Sequence, residues 1–205
     1  MDRTILRDIF HHLSEMDYIK PDDIPAIALY MDQVTTFMDA HLAHAKRYED
    51  DKILTKTMIN NYAKNDLLPP PEKKKYSREH MLLLLFIYYY KGFLSISDIQ
   101  TLLKPLEDRY FTAKDGIDLE TIYSEVFSLE KDAMDQLMKD VFSKFQAAGK
   151  TFQDALPEEQ EMLQTFSFIC ALGFDVYLKK QMIERLIDQM RKGGPDFPNK
   201  DQKKK

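Results

Sequence analysis

Apolar residues recur at three- and four-residue spacing through most of the chain and β-branched alternation is rare, so the pattern predicts an all-α fold. A first amphipathic helix is expected over 4–18, with Ile5, Leu6, Ile9, Phe10 and Leu13 on one face, ended by Lys20-Pro21. Asp22-Asp23-Ile24-Pro25 reads as a linker. A second helix is expected from about Leu29 to Arg47, with Met31, Val34, Phe37, Met38 and Leu42 inward, followed by a charged loop, Tyr48 to Lys52. Thr55 suits the cap of a short helix over Lys56 to Lys64, in which Met58, Ile59 and Tyr62 fall at helical spacing and which Asp66 closes. Pro69-Pro70-Pro71 forces an extended strut, and Glu72-Lys73-Lys74-Lys75 follows as an exposed basic hairpin or loop.

Ser77, with Glu79 and His80, opens a helix that carries Leu82 to Tyr90 and ends near Gly92. Ser95 to Asp98 repeats the start signal for a short helix through Leu103, which Lys104-Pro105 is expected to end. Two longer helices follow. One runs from about Asp118 to Ala147, with room for a break. The other starts with Pro157 in its first turn, carries Glu158, Glu159 and Glu161 near its positive end and continues to Lys192. Its middle, Phe166 to Tyr177, is apolar nearly all round and is expected to form the centre of a C-terminal bundle. The tail beyond Gly193-Gly194 reads as disordered.

Composition narrows the class. With 205 residues, 44% hydrophobic and 31% charged, the chain is expected to be globular and soluble, with enough apolar surface for a core. The single cysteine, Cys170, can form no internal disulfide, which suits a reducing, cytoplasmic setting. The N-terminus carries Asp2 and Asp8, unlike a signal peptide, and the longest apolar run, Met81 to Tyr90, is too short to cross a bilayer, so no membrane association is expected. Six glycines occur and none forms a phosphate-binding loop, so no nucleotide cofactor is expected.

Charge then picks out one segment. The net charge is −5, but Lys52 to Lys104 holds nine Lys and Arg against four Asp and Glu, and Arg191 to Lys205 six against two. A basic island in an acidic chain suggests a local anionic partner.

The island holds a short helix, a proline-supported basic loop, a longer helix and another short helix, in that order. Leu54-Thr55-Lys56-Thr57-Met58-Ile59-Asn60-Asn61-Tyr62, then Leu67-Leu68-Pro69-Pro70, Tyr76-Ser77, Phe86-Ile87, Gly92-Phe93 and Ile96-Ser97-Asp98-Ile99 with Leu102-Leu103, resemble the DNA-binding domain of MerR-type transcription regulators over about 50 residues. The segment is also similar to a family of uncharacterised bacterial proteins that carry it in nearly the same form. The resemblance implies a winged helix-turn-helix with a short wing. Its recognition helix would carry Thr55, Lys56, Thr57, Asn60, Asn61 and Lys64, with Ile59 pinning it to the core and Tyr62 donating to a phosphate. Its wing would carry Lys73, Lys74, Lys75 and Tyr76. The residue types suit that chemistry, since short polar side chains reach base edges, Asn pairs bidentately with adenine, and ammonium groups displace counterions from phosphates.

Other constellations read as ordinary structure. His41-x-x-His44 offers half a metal site with no further ligand at matching spacing, and no metal is expected. Tyr88-Tyr89-Tyr90 spread around a helix axis, so most pack in the core. Cys170, among apolar neighbours, is expected to be shielded and inert. No nucleophile–base or paired-carboxylate arrangement stands out, so no enzyme is expected.

The resulting organisation is an N-terminal helix and linker over 1–28, a MerR-like helix-turn-helix domain over 29–104, a C-terminal helical dimerisation or effector domain over 105–192, and a basic tail over 193–205. The expected function is a transcription regulator that binds double-stranded DNA as a homodimer and answers to an unknown effector. The alternative is a protein-interaction adaptor that keeps the helix-turn-helix as a scaffold.

Overall fold

A computed structural model of the chain describes residues 3–14, 18–113 and 115–193. Among them the fold is all-α apart from one two-stranded ribbon. The helices are α1 (Arg3–Ser14), α2 (Met31–His41), α3 (Lys56–Lys64), α4 (Arg78–Tyr90), α5 (Ile96–Tyr110), α6 (Leu119–Ser128), α7 (Glu130–Ala148) and α8 (Pro157–Lys192). The strands are β1 (Leu29–Tyr30) and β2 (Lys75–Tyr76), antiparallel, with Leu29 opposite Tyr76 and Tyr30 opposite Lys75.

Several elements follow their local signals. Thr55 Oγ1 accepts the Met58 N–H at 3.2 Å and so starts α3. Ser95 Oγ accepts the Asp98 N–H at 3.1 Å, Asp98 Oδ2 accepts the Ser95 N–H at 3.3 Å, and this box starts α5. The Ser95 hydroxyl, with Arg191 beside it, holds the Asp98 carboxyl below the ordinary carboxylate range.

Three expectations change. The second helix does not begin at Leu29: Leu29 and Tyr30 alternate buried and exposed as a strand, and the helical path after His41 breaks into a 3-10 turn at Ala43–Ala45. Pro105 does not end α5, which runs on to Tyr110; Ile99 and Leu103 bury its inner face while Lys104 bonds across the proline to Glu107 at 3.1 Å and Asp108 at 3.3 Å. The long helix of the second half does break, at Leu129 between α6 and α7. Residues 15–17 and the expected disordered tail from 194 onward lie outside the described residues.

The chain forms two compact units. The larger comprises Tyr18–Val126 and the chain from Ile183, and the smaller holds α1 with Phe127–Met182. The larger unit extends beyond the 29–104 limits read from the sequence, and its own bonds explain why. The Tyr123 hydroxyl of α6, fully buried, donates to the Ile19 carbonyl at 2.8 Å. Arg78 at the start of α4 donates to the Pro21 carbonyl at 2.8 Å and pairs with Glu120 of α6 at 2.9 Å. Arg191, near the end of α8, donates to Ser97 at 3.0 Å and pairs with Asp98 at 2.7 Å, closing on the start of α5. At the centre, every residue from Met81 to Ile87 of α4 is buried; β2 and α5 pack on this helix, and the Tyr123 ring meets Phe86 edge-on at 5.4 Å.

In the smaller unit α7 packs on α8. Phe145 meets Phe168 edge-on at 5.5 Å, Lys144 pairs with Asp140 and, at 2.7 Å, with Asp175, and Gln164 donates to the carbonyls of Gly149 and Thr151 in the connecting turn. The expected centre of the C-terminal bundle is not buried: Phe166, Ile169 and Phe174 are each 60% exposed, and Val176 and Tyr177 are exposed beside them. Cys170 lies on the same open side, so the apolar shielding expected for its thiol is absent. The helix carries more apolar surface than its contact with α7 covers.

Candidate nucleic-acid interface

Helix α3 divides cleanly into two faces. Lys56, Thr57, Asn60, Asn61 and Lys64 are exposed and fall within one arc, while Ile59 and Tyr62 are buried on the other. Ile59 therefore pins the helix as expected. Tyr62 does not join the outer face. It is 7% exposed, its ring is buried on the same side of the helix as Ile59, and burial pushes its phenol pKa up. Thr55, half-buried, spends its hydroxyl on the cap of the helix. The Asn61 carbonyl accepts the Asn65 side-chain amide at 2.8 Å, which leaves the Asn61 side chain itself outward.

The basic loop is a tight turn. Lys75 N–H donates to the Glu72 carbonyl at 2.9 Å, and Lys73 and Lys74 between them take φ values of 50° and 66°. Both central residues left-handed is the twist a short hairpin favours, at a cost for residues that carry a Cβ of about 1–2 kcal/mol each. Lys73, Lys74 and Lys75 are exposed, as expected. Tyr76 is not; the two-residue alternation of β2 turns Lys75 outward and Tyr76 inward, where it is 3% exposed with its pKa raised by burial.

Two residues with no signal in the sequence bring the helix and the turn to one corner. Lys56 forms an ion pair with Asp32 in the first turn of α2. The Lys75 ammonium lies 5.1 Å from the ring centre of Tyr30 at the end of β1. Tyr30 and Asp32 are two residues apart, at most about 7 Å between Cα atoms. The N-terminus of α3 and the lysine turn are thus both tied to the β1–α2 corner. The acidic loop that precedes α3 is folded on itself, Asp51 accepting the N–H groups of Arg47 and Tyr48 at 3.1 and 3.0 Å.

His41 Nδ1 bonds with the Phe37 carbonyl at 3.0 Å and its ring stacks on Phe37 at 4.0 Å. Among the described residues no group of three or more His, Cys, Asp or Glu side chains could hold a metal ion, and no helix is long and apolar enough to cross a membrane.

Residues 19–126, just over half of the chain, match the model of a family described as a domain of unknown function, DUF1836. These limits fall within one residue of the Tyr18–Val126 segment of the larger compact unit. No curated protein and no solved structure matches the chain.

Proposed function

The chain belongs to the DUF1836 family, and we propose from the geometry of its own residues that this domain binds double-stranded DNA in a sequence-specific manner, as part of a transcription regulator. The observation that carries the reading is the shared corner: the polar outer face of α3 and the lysine turn are both anchored at Tyr30–Asp32. Base-reading groups and phosphate-binding groups need that kind of juxtaposition, because backbone contacts fix the register in which side chains reach base edges. Strand, helix, capped helix and hairpin follow one another here in the order of a winged helix-turn-helix, in line with the MerR-type resemblance. Asn60 and Asn61 would read bases, Lys56, Thr57 and Lys64 would flank them, and Lys73 to Lys75 would hold the backbone.

One short helix makes few base contacts, so tight binding calls for two copies on two half-sites. The exposed apolar side of α8 from Phe166 to Tyr177 suits self-association of that kind. The adaptor reading has one observation in its favour: Asp32 neutralises Lys56, which leaves less net charge beside α3.

Genomic footprinting of the tagged full-length protein tests the proposal. Discrete protected sites with half-sites about one helical turn apart are expected. Absence of discrete sites, with stoichiometric recovery of a protein partner, would overturn it in favour of the adaptor.

A further inference from the structure

One side of α8 is engaged within the chain. Gln164 is buried, Phe168 meets Phe145 and Asp175 pairs with Lys144, and these three lie within about 40° of one another round the helix axis. Half a turn away run Met162, Phe166, Ile169, Gly173 and Val176, at alternating spacings of four and three. The four side chains of this seam are each at least 60% exposed. That period is the one a helix presents to another helix along its length.

Gly173 is exposed within the seam, and a Cβ there would meet nothing within 4 Å. Glycine destabilises a helix interior relative to alanine, and no neighbour in this chain takes the space that the missing side chain leaves. A bare backbone at that point lets a second helix come close. The two ends of the seam carry opposite charge: Glu158, Glu159 and Glu161 before or beside its first residue, Lys179 and Lys180 after its last. Two such helices side by side in the same direction would set like charges together, whereas reversed they set each end, and each helix dipole, against its opposite. With Glu159 of one copy level with Lys180 of the other, Phe166 comes level with Gly173 and Ile169 with Cys170, so the bulkiest member of the seam lies over the bare one.

We propose that α8 pairs through this seam with α8 of a second copy, antiparallel, on a two-fold axis between Ile169 and Cys170, each Phe166 ring seated over the partner's Gly173. The charge order selects a second copy, because one helix supplies both halves of the match. This pairing rests on the homodimer reading given above and is independent of DNA.

Sedimentation of the full chain without DNA tests it, and a reversible dimer is expected. Gly173→Leu should weaken the dimer at least tenfold although it adds apolar surface, with wild-type helicity and a melting temperature in dilute solution no lower than wild type. Gly173→Ala should weaken it at least threefold, which keeps the test valid if the leucine variant fails to fold. Orientation is read by oxidising mixtures of two single-cysteine chains, both carrying Cys170→Ser, one with Glu159→Cys and the other with Lys180→Cys. Disulfides between the two kinds of chain are expected, and few within either kind. Glycine variants that dimerise as tightly as wild type or more so, crosslinks within one kind of chain, or no crosslinks would overturn the antiparallel seam while the homodimer reading stands. A monomeric full chain, alone or with another protein seated on α8, would overturn both.

Discussion

The DUF1836 domain and the α7–α8 unit turn opposite kinds of side chain to solvent. In the domain, Met81 to Ile87 are buried while Lys56, Thr57, Asn60, Asn61 and Lys64 face outward. In the other unit, Phe166, Ile169, Phe174 and Tyr177 face outward. As sequence the two apolar stretches look alike, each apolar nearly all round. They differ in what meets them: β2, α5 and the Tyr123 ring close on α4, whereas α8 meets α7 through Phe168 and Asp175 and leaves Phe166, Ile169 and Phe174 exposed. An all-round apolar helix therefore declares that its surface is to be covered, without declaring which chain covers it.

The sharpest way to break this contrast is a matched pair of truncations. Leu84→Ala in the closed interior should cost about 2–5 kcal/mol in urea unfolding, since it opens a cavity that neighbours fill only in part. Ile169→Ala on the open face should change unfolding of dilute protein by less than about 0.5 kcal/mol, and should weaken self-association in sedimentation. Equal costs would mean that α8 is covered within its own chain.

Next in size is the outward polar set. Asn60→Ala or Asn61→Ala should relax base preference at one position per half-site by about 1–3 kcal/mol, read by competition binding, with oligomeric state and melting temperature unchanged. Unfolding of both variants would show the asparagines to be structural.

The smallest effect concerns His80. Burial holds its folded-state pKa below the ordinary 6.5, so the unfolded chain binds the extra proton first. Stability from this group is complete above pH 6.5 and falls as pH drops through the folded-state value, at up to about 1.4 kcal/mol per pH unit. His80→Gln, which can still accept the Ser77 N–H, should remove that acid-side loss when unfolding is compared at pH 7.5 and 5.0. An identical pH dependence in the variant would rule the group out as its source.

Where an element carried its own boundary chemistry, it was legible in the sequence to the residue. Thr55 and the spacing of Ile59 and Tyr62 define α3, and Pro157 with the acidic first turn defines α8 over all of Pro157–Lys192. The ribbon was not legible, because strands of two residues leave no alternation to detect. The candidate site divides the same way. The lysines and asparagines of the outer faces were readable from residue type, but the burial of Tyr62 and Tyr76 was hidden by a resemblance that assigned them outward roles. Asp32 and Tyr30, which gather the site, and Arg191, which reaches Asp98 across 93 residues, act through contacts that no local pattern encodes. His80 looked like part of a helix start, and its burial, with the Tyr76 and Phe111 rings edge-on to it, did not show in that pattern.

The central claim is that the lysine turn and the face of α3 act together on duplex DNA. Fluorescence anisotropy of a duplex recovered by footprinting, followed across salt concentrations, tests it most directly. Wild-type binding should weaken steeply, and Lys73→Ala, Lys74→Ala and Lys75→Ala combined should flatten the log–log slope by roughly 0.9 per lost phosphate contact, about 2.7 per subunit, with sequence preference retained. A wild-type chain that binds no duplex at low salt, or a triple variant with the wild-type slope, would contradict it.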